Sequence, residues 1–73
     1  MTTTFTIRGK SGVLAMTVFN FADNTCVRQL LSPAGNIERQ VDPRDASTEI
    51  VRAINNGKSV TISRDGIDIG TLN

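Results

Sequence analysis

Histidine, tryptophan and tyrosine are absent from this chain of 73 residues, and cysteine occurs once, at Cys26. A lone cysteine cannot close an intramolecular disulfide. Without histidine or a cysteine cluster, the usual ligand sets for zinc, haem or iron–sulfur groups cannot be assembled, so neither a metal nor a cofactor is expected. The same absence removes the base of the common serine and cysteine triads, and Cys26 reads as a small apolar strand residue rather than a nucleophile. Long hydrophobic runs are missing too. No stretch approaches the ~20 apolar residues of a membrane span, and Met1–Phe5 has neither the basic start nor the apolar run of a signal peptide. The expectation is a chain with no membrane association in a reducing, cytoplasmic compartment, which would be the host cytoplasm for a phage-encoded protein. Met1 and a last strand running out near Asn73 read as a complete chain.

Charge of one sign is also lacking: eight basic residues face seven acidic ones, a formal net charge of +1. That is far from the strongly basic balance of a dedicated nucleic-acid binder. A chain of this length has room for a single domain, residues 1–73, and one this small buries only about 60% of the surface its unfolded form exposes. Self-association is therefore one expected source of further stability.

What the sequence does contain is mostly period-two alternation. Phe5 and Ile7 alternate with Thr4, Thr6 and Arg8, and Gly9-Lys10-Ser11-Gly12 suits a short hairpin connection into a second strand, Val13–Phe21. Ala22-Asp23-Asn24 reads as a turn before a third strand, Thr25–Leu31. Ser32-Pro33-Ala34-Gly35, with proline at the second turn position, leads to a fourth, Asn36–Val41. There Ile37 and Val41 should point inward, and Arg39 shares their parity. The period then changes. Ala46, Ile50, Ala53 and Ile54 form one apolar stripe of a helix expected over 45–56, capped by Asp42 or Asp45 and stopped by Gly57. Ser59–Arg64 and Ile67–Leu72 alternate again around Asp65-Gly66, a dipeptide suited to a type I′ hairpin turn. The predicted fold class is α+β: a small antiparallel β-meander with one helix and a C-terminal hairpin, in the order β-β-β-β-α-β-β.

Few constellations suggest chemistry. Gly-Lys-Ser occurs at residues 9–11 and 57–59, but neither copy has the upstream glycine of a phosphate loop, and both lead into strands, so they read as two unrelated turns. Asp45 and Glu49 share a helix face near Asp42, which helix capping and the helix dipole explain without a metal. Asp65 and Asp68 flank a tight turn that offers no cleft for a carboxylate pair. No catalytic, cofactor-binding or metal-binding residue is therefore assigned, and the chain is not expected to be an enzyme.

The most informative segment is the second strand, which is apolar on both faces: Leu14, Met16 and Val18 on one, Val13, Ala15, Phe19 and Phe21 on the other. One helix covers only one face of one sheet, and the more uniformly apolar Leu14/Met16/Val18 set is the natural side for it. The other side would then be closed by the C-terminal hairpin folding over it, by a second copy, or by a partner. The expected function is a small non-catalytic protein-binding module, an inhibitor or adaptor, acting through Phe19 and Phe21 or an edge strand, with a homodimer as one form of it. In size and lack of catalytic groups it is similar to small proteins of this kind that phages and mobile elements encode, although no motif carries the similarity. Two alternatives are a structural subunit of a larger assembly and a nucleic-acid-binding domain. The latter would use Arg8, Lys10 and Arg28 on one sheet surface, joined by Arg39, but lacks the aromatic interleaving of stacking platforms.

Overall fold

The computed structural model describes residues 2–32 and 35–72, and their side chains except at 31 and 32. Six strands and one helix follow in the predicted order: β1 (Thr2–Gly9), β2 (Gly12–Asn20), β3 (Thr25–Ser32), β4 (Gly35–Gln40), α1 (Pro43–Asn55), β5 (Ser59–Arg64) and β6 (Ile67–Leu72). All strands join one sheet in the spatial order β4-β3-β2-β1-β5-β6, and every pairing is antiparallel. β1–β4 form the expected meander, while α1 carries the chain from the β4 edge back across the sheet so that β5 can pair with β1.

The turn chemistry behaves as local rules require. Asp65 and Gly66 both have positive φ, 51° and 84°, the combination a type I′ turn demands, and Asn24 at 56° serves the β2–β3 connection. The expected Ser32–Gly35 turn falls on Pro33 and Ala34, which lie outside the described residues. Of the two capping candidates, Asp42 is the one used. Its carboxylate accepts the Arg44 N–H at 2.8 Å and Pro43 opens the helix, so α1 begins two residues earlier than predicted.

The side of the sheet that the helix covers is the reverse of the sequence expectation. Register pairs Phe5 with Thr17 and Ile62, and Ile7 with Ala15 and Val60, so these residues share one face. Ile50 of α1 is buried against Ile7, Ala15 and Val60, with Phe5, Phe19, Leu30, Ala53 and Ile54 packed around them. The helix therefore lies on the Ala15/Phe19 side, and Met16 and Val18 face away from it. Two physical causes were hidden in the sequence. The β2 residue buried with Ile50 is the small Ala15, whose size leaves room for the helix side chains between Ile7 and Val60, so a face need not be uniformly apolar to take the helix. In addition, a β-bulge between Ile7 and Arg8 leaves Leu14 without a register partner, so it breaks the alternation. Leu14 consequently borders the helix-side cleft with Ala15 rather than siding with Met16.

The C-terminal hairpin extends the sheet beside β1 and folds over neither face. The face bearing Thr4, Thr6, Met16, Val18 and Val27 is left without a covering element among the described residues. Edge strand β4 lies beyond the helix, so Ile37, expected inward, is 58% exposed.

Candidate functional site

Antiparallel connections alternate between the two ends of the sheet, and this sorts the charged side chains. At one end are the β2–β3, β4–α1 and β5–β6 connections, with Asp23, Asp42, Asp45, Asp65 and Asp68 in or beside them. Hydrogen bonds confirm that the start of β1 lies at this end: Thr2 N–H donates to the Asp65 carboxylate and Asp65 N–H to Thr2 C=O, each at 3.1 Å. At the other end are the β1–β2 and α1–β5 connections, with Arg8, Lys10 and Lys58, and Arg52 in the last helical turn. Glu49 borders the groove that holds Arg52 and Lys58, but it is paired with Arg28; no acidic residue lies in the connections themselves among the described residues.

The basic end contains a cleft of about 530 Å³ lined by residues 8–11 and 56–59 together with Leu14. Both Gly-Lys-Ser segments line it. They read as unrelated turns in the sequence, yet β1–β5 pairing, with Arg8 opposite Ser59, sets them side by side. The second of them is not a backbone phosphate cradle, because the Gly57 and Lys58 N–H groups are committed to Ile54 C=O and Ala53 C=O, each at 3.0 Å.

Arg28 does not join this group. It lies on the helix side of β3, where its guanidinium pairs with Glu49 at 2.5 Å and 2.7 Å, both residues about one-third exposed. Arg39, on edge strand β4, stands directly opposite Arg28. The expected surface of Arg8, Lys10, Arg28 and Arg39 is thus split. The first two lie at the basic end, Arg28 is held by the helix, and Arg39 sits at the far edge. Glu49, weighed as a cation ligand with Asp42 and Asp45, is instead the partner of Arg28, and no acidic cluster suited to a metal ion occurs among the described residues. Cys26 is fully buried in β3, and burial pushes its thiol above the ordinary value of 9.0.

The third surface is aromatic. Phe5 and Phe19 meet edge to face with centroids 5.4 Å apart, and Phe19 and Phe21 are stacked at 6.2 Å. All three phenylalanines of the chain thus form one ladder, on the same face as the helix. Because α1 starts over β3 near Val41 and ends near Lys58 at β5, it crosses the sheet obliquely and leaves this corner open. Phe21 is 61% exposed at its outer end, and Ile67 of β6, on the same face through its pairing with Arg64, is 69% exposed. Beneath the ladder, the hydroxyls of Thr3 and Thr17 are buried without a hydrogen-bond partner among the described residues. Ile67 and Arg52 carry no signal of a surface role in the sequence, while Phe5 reads there as the inward side of a strand and Lys58 as part of a turn. The available signal was the alternation of connections between ends, which assigns Lys10 and Lys58 to one end once the strand order is known.

No protein-family model, curated protein or solved structure matches the chain.

Proposed function

We propose that this chain is a non-catalytic protein-binding module, of inhibitor or adaptor type, and that its partner docks on the aromatic corner formed by Phe5, Phe19 and Phe21. The observation that carries this reading is the placement of Phe21. It is an aromatic ring more than half exposed, yet held in position by stacking on Phe19, which is itself anchored in the core. Aromatic side chains immobilised before binding supply contact area at little further entropic cost, which is why they recur as interface anchors. The corner continues on the same face to Ile67, beside the fully exposed edge strand β6. This edge offers main-chain hydrogen-bonding groups to a partner strand, and it carries a single charge, Asp68, whereas β4 at the opposite edge carries Glu38 and Arg39. A second copy of the chain is one partner this surface accepts.

The test substitutes Phe21 by serine, which removes an exposed ring and leaves the core intact. Val51 is the comparison site, because it is 57% exposed on the outer side of the helix, away from the corner. Light scattering on the purified chain and affinity capture from the source cell are measured for the parent, Phe21→Ser and Val51→Ser. The expected result is a roughly tenfold or greater loss of self-association or partner capture for Phe21→Ser only, as for an interface anchor. Equal behaviour of the two variants would remove the aromatic corner as the docking surface.

A further inference from the structure

A second surface, at the opposite end of the sheet, carries an inference independent of the protein-binding reading. Four of the eight basic residues lie at this end: Arg8, Lys10 and Lys58 line the cleft, and Arg52, in the last helical turn, shares the adjoining groove with Lys58 and the Arg28–Glu49 pair; none of the four has an ion-pair partner among the described residues. The helix dipole accounts for Arg52 and Lys58, since cations are favoured near a helix C-terminus. It does not account for Arg8 and Lys10, which belong to β1 and its turn and add like charge to the same place.

Five acidic side chains with Arg44 and Arg64 leave the other end at a formal −3. The basic end stands at +4, and Arg28, Arg39, Glu38 and Glu49 cancel between them, which together accounts for the net +1. The two ends are separated by the length of strands β1 and β2, eight and nine residues, or about 25 Å at ~3.3 Å per residue, roughly three times the ~8 Å screening length at physiological salt, so they act as separate poles rather than averaging to near neutrality. A net charge of +1 thus conceals a strongly basic surface.

We infer that this basic end is a docking site for the phosphate backbone of nucleic acid. The cleft supplies, beside its cations, the hydroxyls of Ser11 and Ser59 and the amide of Asn56. None of these makes a side-chain hydrogen bond among the described residues, and all can hydrogen-bond to phosphate oxygens. The cations are distributed over β1, its turn, the last helical turn and the connection into β5, with β1 and β5 ~4.8 Å apart, which makes a track for successive phosphates rather than a socket for one anion. The three phenylalanines lie in the ladder near the other end, so no aromatic ring is available at this end to stack on bases. Contact is therefore with the backbone, independent of sequence, and salt-dependent through counterion release.

The test measures binding of a fluorescent 20-base-pair DNA duplex between 50 and 200 mM salt. Four phosphate contacts would lower affinity by about 10²-fold over that range. Lys10→Ser/Lys58→Ser should lose roughly half of the logarithmic salt slope, about one unit per removed contact. Arg39→Ser/Arg44→Ser, which changes net charge equally but lies outside the cleft, should keep the parent slope. Circular dichroism establishes that both variants are folded. Three results would each overturn the inference: no duplex binding at 50 mM salt, equal losses in the two variants, or binding of polyglutamate as tight as that of the duplex.

Discussion

Ile50 and Val51 are adjacent in sequence and about 100° apart around the helix, so they isolate what packing on the sheet is worth. Ile50 is 6% exposed and touches Ile7, Ala15 and Val60, whereas Val51 is 57% exposed. Ile50→Ala removes buried methyl and methylene groups from beneath the one helix that closes this core, at a cost of about 3 kcal/mol within the usual 2–5 range. With an unfolding entropy of about 2.1 cal/mol/K per residue, 73 residues give about 0.15 kcal/mol/K, so the melting temperature should fall by about 20 °C. Val51→Ala should stay within about 0.5 kcal/mol of the parent, as surface substitutions do. Thermal unfolding followed by circular dichroism reads the first quantity, and urea unfolding checks that the slope m is unchanged. A drop for Ile50→Ala no larger than for Val51→Ala would refute the placement of the helix on the Ala15/Phe19 face and the core built on it.

Two further predictions concern buried groups on the sheet. Thr17→Val replaces an unpartnered, fully buried hydroxyl with a methyl group of the same shape, and should raise stability by about 1 kcal/mol, or about 7 °C, in the same melting experiment; a fall in stability would mean that the hydroxyl has a partner. Cys26 should resist a thiol reagent at pH 8 until the chain unfolds, because its side chain has no exposed surface. Since burial holds the folded thiol above its ordinary value of 9.0, the unfolded chain ionises first as pH rises. The stabilising preference for the neutral thiol in the fold is then lost progressively above that value, and Cys26→Ala should remove this share of the alkaline destabilisation.

The order of elements was legible because each rests on a local signal. Period-two alternation marked the strands, Asp65-Gly66 the last hairpin, and the Ala46/Ile50/Ala53/Ile54 stripe the helix. Which face the helix covers was not, because that depends on cross-strand register. A single bulge at Leu14 changes the parity of the strand, and the value of Ala15 as a small residue appears only when Ile50 is set against it. The candidate surfaces divided in the same way. Phe19 and Phe21 are two residues apart on one strand, so their shared face could be read directly. Lys10 and Lys58 are brought together by β1–β5 pairing across most of the chain, which no local pattern encodes.

Topology also relates the two proposed surfaces to each other. Every acidic connection follows an even-numbered strand or closes the β5–β6 hairpin at the end where Phe21 emerges, and every basic one lies at the opposite end. The aromatic corner therefore sits in a negative field and the phosphate track in a positive one. A polyanion approaching the chain is steered to the basic end and away from the corner. Nucleic acid and a protein partner should accordingly bind together, with the chain acting as an adaptor between them. Addition of duplex DNA to a complex with the protein partner should give a ternary species in light scattering. Displacement of the partner by the duplex would mean instead that the two ligands compete for one surface, and the separation of the poles would have no functional consequence.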